Sequence, residues 1–185
     1  MKTILSAIVT VVALCGVSVI AKEASASGVS SSRAIAWSVD PNSGALYLNY
    51  ANGSGDDAKL CDITSTANLR VDFSPDDKYI FVTDGTASLG IHVTLYRRSS
   101  GLRYSEVDFD FDLAVQRLAL EAEAGVKIND TVLDHSYLKC LGWSRNGIAT
   151  LELSGNGKFK GKRVDISGFR CAYDPVARSF AAKGG

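Results

Sequence analysis

The stretch FSPDDKYIFVTDG, residues 73–85, has the most regular pattern in this chain of 185 residues. Apolar side chains alternate into it from Leu69 and continue up to Val82, as they do in paired antiparallel strands. The polar run Ser-Pro-Asp-Asp-Lys lies between the two alternating segments, and these residue types favour tight turns. Asp84 and Gly85 predict a second turn. The stretch therefore predicts a β-hairpin.

A second stretch, LKCLGWSRNGIATLELSG at residues 138–155, repeats this plan. It also has apolar alternation, an aromatic residue followed by serine, a short polar turn, and a second alternating run that ends in glycine. Both stretches are followed by a strand that carries an aromatic residue and then a turn. Internal repeats of about 40 to 50 residues are typical of propeller blades or of similar stacks of small antiparallel sheets.

Between the two hairpins the hydrophobic period changes from that of a strand to that of a helix. Residues 104–112 alternate strictly. One face of this segment carries four acids: Glu106, Asp108, Asp110 and Asp112. We interpret this face as a solvated edge strand, a contact for a basic partner, or a metal or catalytic site. Asp112 as N-cap and Gly125 as stop then predict one inserted helix, at about residues 112–124.

The predicted fold class is mainly β and antiparallel, with that one helix inserted. Two architectures stay open, an incomplete or small β-propeller-like domain and a twisted β-sandwich. A chain of this length with an inserted helix is too short for a ring of six or seven blades. The helix is expected to pack on the side or the end of the strands.

The N-terminus predicts export. Lys2 precedes an apolar run from Ile4 to Ile20, and small residues follow around Ala21 and Ala26, which is the pattern of a secretory signal peptide. A membrane anchor is one alternative, although the run is short for a span, and a lipoprotein signal at Cys15 is another. The predicted division is residues 1–26 as signal peptide (cleavage near 21 or 26), 27–33 as flexible tether, and 34–185 as a single β-rich domain. Export would place the mature protein in the periplasm, with no membrane span after signal removal.

Composition argues against several function classes. Lys and Arg number 20, as do Asp and Glu, so the chain has no overall electrostatic attraction for nucleic acid. Two scattered histidines, His92 and His135, do not predict a metal site. The sequence contains no recognisable nucleophile motif or cofactor-binding loop. We therefore predict no enzymatic activity, no catalytic residues, no metal and no cofactor.

Three cysteines remain after signal removal: Cys61, Cys140 and Cys171. In an oxidising compartment one pair can close, and one thiol is left over. We favour a disulfide between Cys61 and Cys171, because both are predicted on short strands at comparable positions of the repeats. Cys140 has an equally apolar setting, so the other pairings stay open.

Two polar loops that contain glycine flank the strand predicted at residues 91–98. They are residues 83–90 and 99–104. One interpretation is plain turns; the other is a pair of recognition loops, because Arg and Tyr commonly anchor protein interfaces. The candidate partner-binding residues are Ser88, Ser100, Arg103 and Tyr104.

The turn at residues 74–78 resembles the Ser-Pro-Asp-Gly-Lys turn of TolB-type propeller repeats, and Trp143–Gly147 follows the same plan. The signal peptide, the propeller-like hairpins, the few cysteines and the missing catalytic set together resemble periplasmic immunity proteins of type VI secretion. The nearest kind is the immunity protein against a peptidoglycan amidase effector. This resemblance covers about residues 60–173 and lies in the layout of the chain.

Two shorter segments resemble periplasmic lysozyme inhibitors. GTASLGIHVTLY, residues 85–96, is similar to a Ser-x-Gly segment that leads into a strand in inhibitors of invertebrate-type lysozyme. Residues 100–104 match the Ser-Gly-x-x-Tyr pattern of inhibitors of c-type lysozyme. In those families a loop Ser and Tyr enter the lysozyme cleft, which implies that role for Ser100 and Tyr104, and for Ser88 by analogy. The repeated hairpins and the helix depart from those small inhibitors.

These resemblances imply a periplasmic binding protein that inhibits a peptidoglycan hydrolase by inserting a loop into its active site. The expected partner is thus a peptidoglycan-degrading enzyme. Two other functions stay open, a non-catalytic, propeller-like envelope scaffold or sensor, and a secreted hydrolase that uses carboxylates.

Overall fold

A computed structural model of the protein describes residues 26–88, 90–125, 127–130 and 132–182. Apart from Ala26, the predicted signal peptide lies outside this part of the chain. The described chain is mainly β, with two sheets and one α-helix, so the predicted fold class is confirmed. Within these ranges no helix combines the length and apolar character that a membrane crossing requires.

The strands form three units of four that follow one another along the chain. The first unit is a separate sheet of β1 Ser27–Val29, β2 Ile35–Val39, β3 Ala45–Tyr50 and β4 Ala58–Asp62. A short 3-10 helix, Thr66–Asn68, leads to the second unit of β5 Arg70–Phe73, β6 Tyr79–Thr86, β7 Gly90–Ser100 and β8 Arg103–Glu106. The helix α1, Phe111–Ala124, precedes the third unit of β9 Leu133–Trp143, β10 Ala149–Phe159, β11 Lys162–Asp174 and β12 Ser179–Ala182.

The second and third units share one sheet. Its order is β12-β11-β10-β9-β7-β6-β5, and β8 pairs with the far end of β7. The pairing of β7 with β9 is parallel and consists of one residue pair, Ile91 opposite Tyr137, whereas the other pairings are antiparallel. The described strands do not close into a barrel, and their two sheets are consistent with a β-sandwich-like fold.

The two repeated hairpins use the same turn chemistry. Ser74 donates its backbone N–H to the carbonyl of Tyr79 at 2.9 Å, and its Oγ accepts the backbone N–H of Tyr79 at 2.9 Å. Ser144 makes the same two bonds with Ile148, at 2.8 and 3.1 Å. The serine of each stretch therefore closes its turn on both sides. Asp77 has a φ of 54° at the position where the resembling propeller turn has glycine.

The predicted helix is present with its start shifted by one residue. Asp110 is the N-cap in place of Asp112, because its Oδ1 accepts the backbone N–H of Leu113 at 2.9 Å. Gly125 ends the helix in a left-handed conformation with a φ of 62°, as predicted. The predicted acidic strand ends at Glu106, so its four acids do not share one face.

The second unit lies between two hydrophobic cores because β6 is buried on both faces. Ile80 and Val82 belong to the first core, which also holds Ile35, Leu46 and Leu48 of the first unit. The intervening Phe81 belongs to the second core. Alternate residues of a strand point to opposite faces, so β6 joins both cores. Other second-core residues come from α1 and the third unit: Val115, Leu138, Leu151 and Tyr173.

Residues 27–33, for which composition predicts a flexible tether, contain β1 and the turn into β2. Gly28 lies opposite Trp37 in an antiparallel pair, and a Cβ on Gly28 would approach the Trp37 Nε1 to 2.7 Å. Ser30 is only 2% exposed. The tether prediction is therefore wrong for this segment. Backbone hydrogen bonds order it although its side chains are small and polar.

The predicted disulfide between Cys61 and Cys171 is also wrong, because all three described cysteines are free. Cys61 packs against the first core, whereas Cys171 lies in the second. Cys140 and Cys171 both lie opposite Leu151 on β10. The central strand places their Cα atoms about 10 Å apart, beyond the reach of a disulfide.

Candidate functional site

The predicted partner-binding residues lie at opposite ends of β7. Ser88 is in the turn just before Gly90, whereas Ser100 ends the strand and Arg103 and Tyr104 lie in β8. A strand rises about 3.3 Å per residue, which separates Ser88 from Ser100 by more than about 30 Å. The structure therefore brings three of the four residues together and leaves Ser88 at the other end.

We call the end of β7 near Ser88 the Ser88 end. Hydrogen bonds hold the turn at this end in place. β6 continues past the turn predicted at residues 84–85 and ends at Thr86, so the turn comes later in the chain. The hydroxyls of Thr86 and Ser88 lie 3.2 Å apart. Tyr137 on β9 donates its hydroxyl to the carbonyl of Ala87 at 2.8 Å. The bond from Tyr137 attaches the turn to the third unit.

A polar cluster of His92, Asp112, Gln116 and Ser136, here the anchor cluster, lies next to this turn. The Asp112 carboxylate is 3.2 Å from His92 Nδ1 and accepts the Ser136 hydroxyl at 2.5 Å. A catalytic triad needs the imidazole beside the hydroxyl so that it can take the proton. Here the carboxylate lies between the two groups, so the cluster joins the start of α1 to β7 and β9.

The β7–β8 hairpin at the other end packs onto the protein. Leu102 at its tip is 8% exposed and belongs to the first core. Tyr104 donates its hydroxyl to the carbonyl of Asp77 at 2.6 Å, and burial raises the pKa of Tyr104 to about 12. Tyr104 thus holds the 74–78 turn, while Ser100 and Arg103 are exposed.

A groove of about 550 Å³, here the arginine groove, opens beside this hairpin. Its lining is mostly polar and consists of Arg97, Arg98, Ser99, Ser105, Glu106, Val107, Asp108 and Arg178. Among the described residues these five charged side chains form no ion pair, although seven other pairs are present. Arg98 instead donates to the carbonyl of Gly101. The groove therefore offers arginines without carboxylate partners.

A smaller pocket of about 290 Å³, here the tyrosine pocket, shares a border with the groove. Its lining consists of Tyr79, Leu95, Arg97, Val107, Tyr173, Pro175, Val176 and Arg178. Leu95 and Tyr173 are each 1% exposed and form its apolar base. Among the described residues that line it, the charged ones are Arg97 and Arg178. Burial raises the pKa of Tyr173, and its hydroxyl makes no hydrogen bond to another described residue.

Two exposed apolar side chains lie near these cavities. Val176 is 83% exposed in the turn between β11 and β12, and Phe109 is 42% exposed just before α1. Phe109 stacks on Phe180 with ring centroids 5.8 Å apart. Exposed aromatic and apolar groups beside arginine are the composition found at the centre of protein interfaces.

Sequence reasoning did not select Arg97 or Arg178. Arg97 lies on β7 opposite Tyr79 of β6 and Ser105 of β8. Arg178 lies in a turn that Asp174 fixes by accepting backbone N–H bonds from the two residues after Pro175. The Asp-Pro pair signalled the turn, but the sequence offered no signal that it lies next to β7.

No group of three or more His, Cys, Asp or Glu in the described part of the chain could hold a metal ion. The two cavities are lined by arginines, tyrosines, serines and apolar side chains, together with Glu106 and Asp108. No protein-family model matches this chain, and no curated protein matches it either.

Proposed function

We propose that the protein is an exported binding protein that inhibits a peptidoglycan hydrolase in the periplasm. The observation that carries this proposal is the arginine groove, in which Arg97, Arg98 and Arg178 form no ion pair with a described residue and lie beside exposed apolar side chains. The resemblances to immunity proteins and lysozyme inhibitors supply the class of partner. The signal-peptide pattern of residues 1–26 supplies the compartment.

The charge of the groove suits such a partner. Many hydrolases of glycan chains use a pair of carboxylates in an open cleft. An arginine binds a carboxylate with two parallel hydrogen bonds, and it costs less to desolvate than lysine. Arginines without internal partners lose no intramolecular ion pair when they bind such a cleft. A charged surface of this kind also speeds association with an acidic partner.

The proposal changes the roles expected of the predicted residues. Arg103 and Ser100 are exposed near the groove and contact the partner. Tyr104 holds the hairpin in place through Asp77 and does not enter a cleft. Ser88 lies at the other end of β7 and takes no part. In this proposal the binding surface is the arginine groove, and the β7–β8 hairpin forms its edge.

The test is inhibition of a panel of peptidoglycan amidases and lysozymes by the mature protein. The variant Arg97→Glu with Arg98→Glu should weaken inhibition of the cognate enzyme at least a hundredfold, because it reverses two interface charges. The matched control, Lys158→Glu with Lys162→Glu, makes the same change in net charge at the exposed β10–β11 turn. It should inhibit like the unmodified protein.

Several outcomes would contradict the proposal. Equal inhibition by the two double variants would remove the groove from the interface. Inhibition of no panel member, with no hydrolase captured from periplasmic extract, would favour an envelope scaffold or sensor. Hydrolysis of peptidoglycan by the protein itself, abolished by Asp108→Asn, would favour the carboxylate hydrolase. An intact Met1 on the protein recovered from the envelope would refute export with cleavage.

A further inference from the structure

We infer that the tyrosine pocket recognises a carboxylate next to an apolar side chain in an acidic segment of the partner protein. This inference rests on the proposed function and gives the partner's contact a chemical class. Its basis is the division of the pocket into an apolar base and a cationic rim. The two acidic residues of the neighbouring groove, Glu106 and Asp108, do not line this pocket.

The backbones that carry the two rim arginines are held in place before any ligand binds. Arg97 lies in a strand that is paired on both sides, with Tyr79 on β6 and Ser105 on β8. Arg178 has a φ of 51° in a turn whose backbone N–H groups are bound by Asp174 at 2.8 and 3.0 Å. Backbones fixed in this way reduce the ordering cost of binding. Neither guanidinium has a carboxylate partner among the described residues.

The hydroxyl of Tyr173 is placed to contact the same ligand. Tyr173 lines the pocket, is 1% exposed, and has no hydrogen-bond partner for its hydroxyl within the described chain. Arg178 is close enough to oppose electrostatically the effect of burial on this phenol. A carboxylate that bridges the two arginines would accept a hydrogen bond from this hydroxyl.

The size of the pocket favours one side chain over a larger molecule. Its volume of about 290 Å³ lies just below the range of small-molecule sites, which begins at roughly 300 Å³. Leu95 and Val107 provide apolar contact for the side chain that accompanies the carboxylate. The pocket opens onto the arginine groove through Arg97, Val107 and Arg178, which line both cavities. A peptide segment can therefore continue from the pocket along the groove.

The first test uses two synthetic peptides with blocked ends, Gly-Leu-Glu-Leu-Gly and Gly-Leu-Gln-Leu-Gly, titrated into isotope-labelled mature protein and followed by NMR. We expect the Glu peptide to shift the resonances of Arg97, Tyr173 and Arg178 and to bind at least tenfold more tightly than the Gln peptide. Arg97→Ala and Arg178→Ala should each weaken the Glu peptide at least tenfold. Tyr173→Phe should weaken it severalfold, whereas Lys162→Ala should leave it unchanged.

Equal affinity for both peptides would overturn the inference, because the arginines would then contribute nothing. Phenylacetate that binds as tightly as the Glu peptide would assign the pocket to a free small carboxylate. Self-association that is abolished by Arg178→Ala would assign it to a second copy of this chain. Either result would refute the inferred occupant.

The second test separates this inference from the proposed function. If the Glu peptide binds as expected but no hydrolase is inhibited, the pocket chemistry stands and the proposed function fails. If a hydrolase is inhibited by the unmodified protein and equally by Arg178→Glu, the proposed function stands and the inference fails. Arg178→Lys keeps the charge but loses the bidentate geometry. Its inhibition of the hydrolase should therefore lie between that of the unmodified protein and that of Arg178→Glu.

Discussion

At the Ser88 end of β7 each charged or hydroxyl side chain described above has a partner within the protein, whereas the arginines that line the groove at the other end form no ion pair with a described residue. Asp112 binds His92 and Ser136, but Arg97 and Arg178 form no ion pair among the described residues. Both ends are rich in polar residues, so composition alone does not distinguish them. Polar groups that bind one another serve the fold, and those that lack partners are better candidates for binding another molecule.

The largest effect should come from adding a methyl group at the Ser88 end. Gly85 has a φ of 134°, and a Cβ there would lie 2.2 Å from the carbonyl oxygen of Gly90. We expect Gly85→Ala to lower the free energy of unfolding by about 3 kcal/mol. The matched control is Gly53→Ala, which has a φ of 74° and open space around it and should cost about 1 kcal/mol. Urea unfolding measures both, and equal losses would mean that the close approach is unimportant.

The anchor cluster should give the next largest effect. Asp112→Ala removes the acceptor of the Ser136 hydroxyl, and Ser136 is only 7% exposed. We expect a loss of about 2 kcal/mol in the free energy of unfolding, because a buried donor is left unpaired. Asp108→Ala, an exposed acid with no partner in the described chain, should change stability by less than about 0.5 kcal/mol. Loss of inhibition of the cognate hydrolase in Asp112→Ala, with stability unchanged, would contradict this assignment. The Ser88 end would then bind the partner.

A smaller effect is expected from Tyr104→Phe, which removes one hydroxyl at the hairpin. The hydrogen bond to the carbonyl of Asp77 is 2.6 Å long, and its loss should cost about 1 kcal/mol of unfolding free energy. Inhibition should stay as in the unmodified protein, because the hydroxyl is already used inside the fold. Unchanged stability together with weakened inhibition would show that Tyr104 contacts the partner.

The smallest effect near neutral pH is expected from the thiols. Burial raises the pKa of Cys61 and of Cys171 to about 11 and that of Cys140 to about 12, from 9.0. A pKa raised in the folded state means that the stability from the neutral thiol is complete below pH 9 and is lost as the pH rises towards 11 or 12. Urea midpoints measured from pH 7 to 11 should be level at first and then fall.

Thiol counting on the unfolded, unreduced mature protein provides the control for that titration. It should find three free thiols for these positions, because the structure leaves all three unpaired. One free thiol would restore the predicted disulfide. It would also attribute part of any alkaline loss of stability to disulfide exchange, which needs a thiolate.

The repeated hairpins and the helix could be predicted from the sequence because they depend on local chemistry. Ser74 and Ser144 close their turns through atoms at most five residues away, and Gly125 ends α1 through its own backbone. The prediction of a turn at residues 84–85 is wrong, because both residues lie in β6. The Asp84 carboxylate accepts backbone N–H bonds from Thr64 and Ser65. A local pattern cannot reveal that choice.

The candidate site depends on contacts that are distant in the sequence. Arg97 and Arg178 are far apart in the chain and meet only because the β11–β12 turn lies beside β7. Ser88 and Ser100 are close in the sequence but distant in the structure, because they lie at opposite ends of the long strand β7. Cys140 and Cys171 lie on neighbouring hairpin strands, and β10 between them prevents a bond.

The burial of β6 on both faces also has a kinetic consequence. Phe81 faces the second core and Val82 the first, so exposing the β6 backbone to water requires both cores to open. Hydrogen exchange in native proteins ranges from local fraying to global unfolding. The amide hydrogens of β6 should therefore exchange only through global unfolding, while those of the outer strands β1 and β12 exchange through local opening. Deuterium uptake resolved by residue would then rank the three units, with the middle one slowest.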